Sequence, residues 1–554
     1  MTAFLFLAAA FSFGKIYTGG FGPADGFANS PDPYGSPRHC HTFDVYVPFA
    51  EHGKAHPEWF SYVKASGRRC GGPGGGQLCF TNPELRAFVK QRLRAYIERD
   101  RAEAAGKSDP PRIYDISQND NVAYCECEAC MSAREKWGLS GLLVDFINDV
   151  ASSVAKDYPD VLVNTFAYQG TEAPPKGGMR AADNVVIRLC DTQSNQAAGR
   201  NEPGNTVFRD NLVAWAKCAK NISVWDYFSV YTDDLIGFPY ASEFHIGEYT
   251  RMCRDNRVIG FFREHEHRHK GDFWELKNYV GVEMMRNPDA DDQALVRSFV
   301  RDHYGPAADE IYAYRRRLDE LRRERKGNIP WFPSLGDWDW LDAAAVAEFQ
   351  GLFDRALAKC GKGSEFELRV RRARLGLDRL VCRRALGSGA WDAAATAAAA
   401  RVKAITPVWY ARFAGTEFMR KHPHAVEDDI AQVCGVPPPK RFAGMKIRDF
   451  TAPMLYVTES AVERTVRLRE DRDSESGRAW IIDADASKHD KLPYEIGFYD
   501  REAKKFLARK SFEKPLAKNA YAWYRLGEVT VPGPSLVYVS GSWNVQLDLR
   551  RRSD

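Results

Sequence analysis

Between about residues 41 and 290, short β-branched or aromatic runs alternate with longer stretches of helical periodicity, and this constrains the fold more than any other feature. The candidate strands are His41–Val47, Arg112–Ile116, Val161–Ala167, Asn184–Leu189, Ile222–Phe228 and Arg257–Phe262. Helical patterns fill the spaces at Glu84–Ala104, Leu139–Lys156, Asn205–Ala219, Ala241–Asp255 and Asp272–Met285, and Asn82 before Pro83 reads as a cap. A repeated β-then-α order predicts a parallel sheet with crossover helices. No G-x-G-x-x-G follows a strand, and the cluster GGPGGG, Gly71–Gly76, has neither a strand before it nor the P-loop Lys-Ser/Thr, so it reads as a loop. The expected α/β fold is therefore a TIM-barrel-like (β/α) domain. Such a barrel needs eight strands and six are visible, so strands hide in residues 1–40 or the barrel is incomplete at its N-terminus.

A chain of 554 residues exceeds what one core holds, since cores stop growing at roughly 250–300 residues. From 291 onward the pattern turns helical: Asp292–His303, Ala307–Arg325, Asp342–Ala358, Glu365–Leu386, Trp391–Ala404 and Thr416–Cys434. After GVPPPKRF, apolar and polar residues alternate at every second position, as in an antiparallel β-sandwich. The expected domains are 1–290 (barrel), 291–440 (helical) and 441–554 (sandwich).

Lys plus Arg total 78 against 74 Asp plus Glu, and the short basic runs read as solvated helix faces, so nucleic acid is not an expected partner. The apolar run Ala3–Phe13 resembles the centre of a secretory signal, although no positive residues precede it. Export to the periplasm, cell surface or medium is expected. No other run approaches the roughly 18 apolar residues of a membrane span.

In a parallel barrel the working groups stand at the carboxyl ends of the strands. Asn119 and Asp120 follow the second predicted strand, Tyr168 and Gln169 the third, and Cys190 and Asp191 the fourth. Trp225, Asp226 and Tyr227 lie late in the fifth, and the last runs into Arg263–His267. Carboxylates on separate strand ends, Asp120 and Glu264 above all, with aromatic rings between them, are what glycosidic bond cleavage requires. Two metal readings stand beside this one. His265, His267 and His269 could converge from an extended segment, and Cys125, Cys127 and Cys130 could hold an ion with a fourth ligand such as Cys190. Buried thiols or a disulfide bracing the loop are the alternatives for the cysteines.

The strings SQNDNVAYCECEAC, YPDVLVNTFAYQGTEAPPK, DNVVIRLCD and VWDYFSVYTD, with HPEWF ahead of QLCFTNPEL, together resemble glycoside hydrolase family 163, formerly domain-of-unknown-function family 4838. The resemblance covers about residues 38–305. It implies a TIM-barrel endo-β-N-acetylglucosaminidase acting on complex N-glycans, with the substrate's 2-acetamido group as internal nucleophile. It further implies Glu264 as acid/base, Asp120 orienting the acetamido group, Asn119 bonding the sugar, and Tyr168, Trp225 and Tyr227 as stacking walls. His41 and His56 match the family's early histidines. Asp191 and Asp226 complete the expected substrate-binding set, and no cofactor is expected. The family's Phe-Glu-Gln-type pattern reads FFREHEH here, which leaves the register of the acid open by one residue. A glycan or glycoprotein is the expected partner. The other function classes are a non-catalytic glycan-binding protein and a metal-dependent hydrolase built on the histidines.

Overall fold

A computed structural model describes residues 34–232, 235–265, 269–388 and 391–434, with the backbone of strand segments at 16–18, 466–471, 479–484, 494–500, 505–512, 535–540 and 543–545. The chain divides into two compact units, residues 1–423 and 424–554.

The first unit holds strands β1 (Ile16–Thr18), β2 (Ser61–Val63), β3 (Arg68–Cys70), β4 (Ile113–Asp115), β5 (Leu162–Ala167), β6 (Val185–Cys190), β7 (Asn221–Phe228) and β8 (Val258–His265). Between and after them come α1 (Phe43–Tyr46), α2 (Phe49–His52), α3 (Pro83–Ala104), α4 (Glu128–Ala155), α5 (Val207–Cys218), α6 (Ile246–Asp255) and α7 (Trp274–Arg286). Strands β2 and β3 form a small hairpin. The other six make one parallel sheet in the order β1-β8-β7-β6-β5-β4, and Tyr34 adds a parallel bridge to Ile113 on the far side of β4. Sheet order follows chain order from β4 to β8 without reversing, and the first strand lies beside the last. That is the winding of a barrel; a doubly wound sheet reverses at a switch point. The sheet curls accordingly: His39, close after the Tyr34 bridge at one edge, stacks 6.0 Å from Trp225 on β7 and 5.9 Å from Phe262 on β8.

Segment His41–Val47, expected as a strand, is the helical turn α1 instead. Its FDVY alternation satisfies both periods over four residues. The helix wins because Phe43 and Tyr46, three apart, fall on one face and are both fully buried. Between β5 and β6 there is only the 3-10 turn Gln169–Thr171. Outside the sheet, α3 buries Leu85, Val89, Leu93 and Ile97, at four-residue spacing, in one core with Tyr114, Ile116 and Val163. Each such aliphatic side chain contributes about 1.5–3 kcal/mol by leaving water.

The helices after the sheet are α8 (Asp292–Tyr304), α9 (Ala308–Glu324), α10 (Ala343–Lys359), α11 (Glu365–Ser388), α12 (Ala393–Tyr410) and α13 (Glu417–Lys421) in the first unit, and α14 (Ala425–Cys434) in the second. The expected helix Thr416–Cys434 is split at His422-Pro423, because the residue before a proline is driven from the helical region. Tyr314, Leu318, Phe349 and Phe353 share a core with Phe238, Tyr240 and Phe273, which follow β7 and β8. At its centre the fully buried Arg315 donates to both Glu243 oxygens (2.7 and 2.8 Å), to Asp272 Oδ2 (2.7 Å) and to the Tyr240 carbonyl (2.7 Å).

In the second unit, β9 (Val466–Asp471), β10 (Ala479–Ala484) and β14 (Trp543–Val545) form one antiparallel sheet, and β11 (Tyr494–Asp500), β12 (Lys505–Phe512) and β13 (Ser535–Ser540) another. The sandwich expected for 441–554 depends on side chains that lie outside the described residues, as do the apolar run at 3–13 and the expected signal within it.

Candidate active site

Strand alternation decides which side chains enter the interior of the curled sheet. On β5 and just beyond it these are Asn164, Phe166 and Tyr168; on β6, Arg188 and Cys190; on β7, Trp225 and Tyr227; on β8, Phe262 and Glu264. Phe166, Tyr168, Cys190, Trp225, Tyr227 and Phe262 form one aromatic cluster. Register places Trp225 opposite Phe262 and Tyr227 opposite Glu264. The rings of Trp225 and Phe262 lie 4.1 Å apart.

Glu264 stands on this floor, and its neighbour Arg263 points to the other face, where its guanidinium lies 3.4 Å from the Phe228 ring centre. Of the two registers left open by FFREHEH, the interior position is Glu264. The Trp225 indole N–H donates to Glu264 Oε2 at 3.0 Å. Burial pushes the Glu264 carboxyl above the usual carboxylate range; neighbouring Tyr231, the Trp225 hydrogen bond and the charge of His39 oppose this, and the charge of Asp120 adds to it. Asp120 is exposed at the rim beyond β4, and its Oδ1 accepts from the Tyr168 hydroxyl at 2.9 Å. In a flat sheet, four strand spacings of about 4.8 Å would hold these two carboxyls roughly 19 Å apart. The curl brings them near enough for one to raise the pKa of the other.

Three contributors escaped the sequence reading. His39 stacks on Trp225 and acts electrostatically on both Glu264 and Asp115. Tyr231 lies beside Glu264, and Trp331 arrives from the loop after α9. The Trp331 ring lies 4.8 Å from Tyr227, 5.4 Å from Tyr231 and 6.1 Å from Tyr168, and its carbonyl accepts from the Tyr231 amide. Asn195 fixes that loop by donating to the Gly327 carbonyl and accepting from the Ile329 amide. Next to Trp331, Phe332 is 62% exposed. The string IPWFPS, two aromatics between prolines, was the available signal. Gln169 Oε1 is buried here without a hydrogen-bond partner among the described residues.

Other expected residues are placed elsewhere. Asp191 and Asp226 do not reach the interior: Asp226 alternates with the inward Trp225 and Tyr227, and Asp191 follows the inward Cys190, so both turn outward. There they are buried around Arg200, which donates to Asp191 Oδ2 at 2.7 Å and lies 3.7 Å from Asp226 Oδ1. Burial pushes Asp226 up to about 7 despite the opposing charge of Arg200. Asn119 is buried; its amide donates to the Gly76 carbonyl at 2.9 Å and its oxygen accepts from the Asp44 amide, so it ties down the Gly71–Gly76 loop. His41 packs edge-on against Phe166 and Tyr168, below the rim, with Nδ1 2.8 Å from the Gln118 carbonyl. His56 stacks on Trp59 instead, 4.1 Å away.

Among the described residues, two groups come within metal-ligand reach: Cys79, Cys125, Cys127 and Cys130, and the partly exposed His56, Glu58 and Glu84. Cys190, considered as a fourth ligand, sits in the aromatic cluster, and Cys79 takes its place. His269 is buried against Tyr410, Phe413 and Phe418. The side chains of His265 and His267 lie outside the described residues.

The parallel sheet is thus wound as a barrel, with an interior-facing carboxyl and a rim carboxylate over an aromatic floor. The family model described as "Domain of unknown function (DUF4838)" matches residues 22–316, more than half of the sequence, and the chain belongs to that family. No curated protein matches it. Among solved structures it is similar to a Clostridium perfringens protein in complex with its substrate GlcNAc-alpha-1,4-galactose, at TM-score 0.35 and 9% identity over 64% of this chain and 39% of that one. It is similar also to a family 89 glycoside hydrolase from Clostridium perfringens in complex with PUGNAc, at TM-score 0.34 and 10% identity over 64% and 40%. A third is a structure of the tandem GH20 catalytic modules in a pneumococcal exo-beta-D-N-acetylglucosaminidase, at TM-score 0.24 and 15% identity over 56% and 70%. The chain spans about two fifths of the length of the first two.

Proposed function

We propose that the protein is a glycoside hydrolase cleaving N-acetylglucosamine-containing glycans, with Glu264 as acid/base. The observation carrying this reading is the Glu264 carboxyl itself: interior-facing, held by the Trp225 indole, pushed toward its protonated form by burial and by Asp120, and floored by aromatic rings. Protonated Glu264 donates to the glycosidic oxygen as the bond to the anomeric carbon breaks. The substrate's acetamido oxygen closes on that carbon, and Asp120 accepts the acetamido N–H as positive charge grows. The Glu264 carboxylate then takes a proton from the water that opens the ring, giving net retention. Trp331 and Phe332 offer flat faces for sugar rings. The finer reading, an endo-β-N-acetylglucosaminidase acting within the core of complex N-glycans, is supported by the motif resemblance to glycoside hydrolase family 163, and export by the apolar run Ala3–Phe13.

Incubation with a complex-type N-glycoprotein, followed by mass spectrometry, tests it. Release leaving one N-acetylglucosamine on the protein, reduced about 10²–10⁴-fold in both Glu264→Gln and Asp120→Asn, is the expected outcome. Release unchanged in both variants sinks the assignment of the site.

A further inference from the structure

We propose that Cys79, Cys125, Cys127 and Cys130 bind one structural zinc ion that locks the segment carrying Asp120. The four sulfurs lie within 4.8 Å of one another, with Cys79 Sγ 3.7 Å from Cys127 Sγ and 3.8 Å from Cys130 Sγ. A tetrahedral zinc with bonds of about 2.3 Å to sulfur sets its ligands about 3.8 Å apart. A disulfide requires about 2.05 Å. Polynuclear iron–sulfur clusters seat their cysteine sulfurs further apart than this, which leaves a single tetrahedral ion, and an all-thiolate set suits zinc.

The surroundings suit the charge. Zinc with four thiolates carries a net charge of −2. Cys127 is the N-cap of α4 and Cys130 lies in its first turn, so the partly positive helix end faces the sulfurs. The Arg69 guanidinium lies 3.8 Å from Cys125 Sγ, and the Tyr62 amide donates to that sulfur at 3.3 Å. The Thr81 hydroxyl is 3.2 Å from Cys130 Sγ. Such outer contacts orient ligands and spread their charge. Four protein sulfurs leave no open position, so the ion is structural.

What it joins gives it a purpose. Cys79 sits two residues after Gln77, whose amide donates to the carbonyls of Asn119 (2.8 Å) and Asn121 (2.7 Å), on either side of Asp120. Cys125 follows Asp120 by five residues. The ion closes this loop on its outer side, away from the aromatic floor.

The test is metal analysis of the full chain purified under reducing conditions from zinc-supplemented medium, with X-ray absorption at the zinc edge. One zinc per chain, surrounded by four sulfurs at about 2.3 Å, is the expected result. Cys79→Ser and Cys130→Ser should each lower the content at least tenfold, and Cys218→Ser should leave it at one. The absorption measurement needs no variant and stands if the serine forms fail to fold. Less than a tenth of an equivalent in the unaltered chain, iron in place of zinc, oxygen or nitrogen ligands, or two disulfides among the four cysteines would each overturn the proposal.

Discussion

Glu264 reports on its neighbours through its pKa, and the signs can be worked out. As an acid it works protonated, so activity falls as pH rises through its pKa. The Trp225 N–H stabilises the carboxylate; Trp225→Phe should raise the pKa and move the basic limb of the kcat/KM profile to higher pH. Asp120→Asn removes a like charge, so its residual activity should show that limb at lower pH. Profiles that stay fixed would mean that Glu264 is not the titrating acid. Glu172 carries a stability prediction. Burial pushes it up to about 7, against hydrogen bonds from Thr192 and Gln193, whereas its ordinary value is 4.5. The fold favours its protonated form, so the contribution is present below about pH 4.5 and is lost as pH rises through 7. At 1.36 kcal/mol per unit this amounts to about 3 kcal/mol. Urea midpoints of Glu172→Gln measured between about pH 5 and 8 should fall less with pH than those of the parent.

Elements were legible where one period dominated. The run Val161–Ala167 became β5 almost unchanged, and Glu84–Ala104 became α3, because β-branched runs and a capped helical stripe each admit one reading. Four-residue segments admit two, and His41–Val47 turned helical once Phe43 and Tyr46 found a common core. Within elements, alternation was visible but its phase was not: nothing in WDY says which residues face inward, so Asp226 was assigned to the rim. His39 and Trp331 were hidden because they join the site from 225 residues before Glu264 and 67 after it in the chain. At this scale the Trp331 loop is the element to perturb. Trp331→Ala should raise KM several-fold more than it lowers kcat, since the ring lies on the wall beside Tyr227 and Tyr168; an unchanged KM would remove it from the binding surface.

Across the first unit, buried charge holds the layers together. Arg315 on α9 meets Glu243, which follows β7, and Asp272, which follows β8. Removing one member of such a group leaves uncompensated charge at a cost of about 3–5 kcal/mol. Arg315→Met should therefore lower the denaturation midpoint far more than the exposed control Arg301→Met; equal midpoints would show the cluster to be energetically idle. The same clamp governs how this protein can be cut. A gene fragment ending near 290, where the sequence pattern changes, would be made with Glu243 and Asp272 stranded in an apolar interior and the aromatic faces of Phe238 and Phe273 bare. Such a product belongs in inclusion bodies, and the smallest portion suited to crystallography or recombination with other modules extends through the helices.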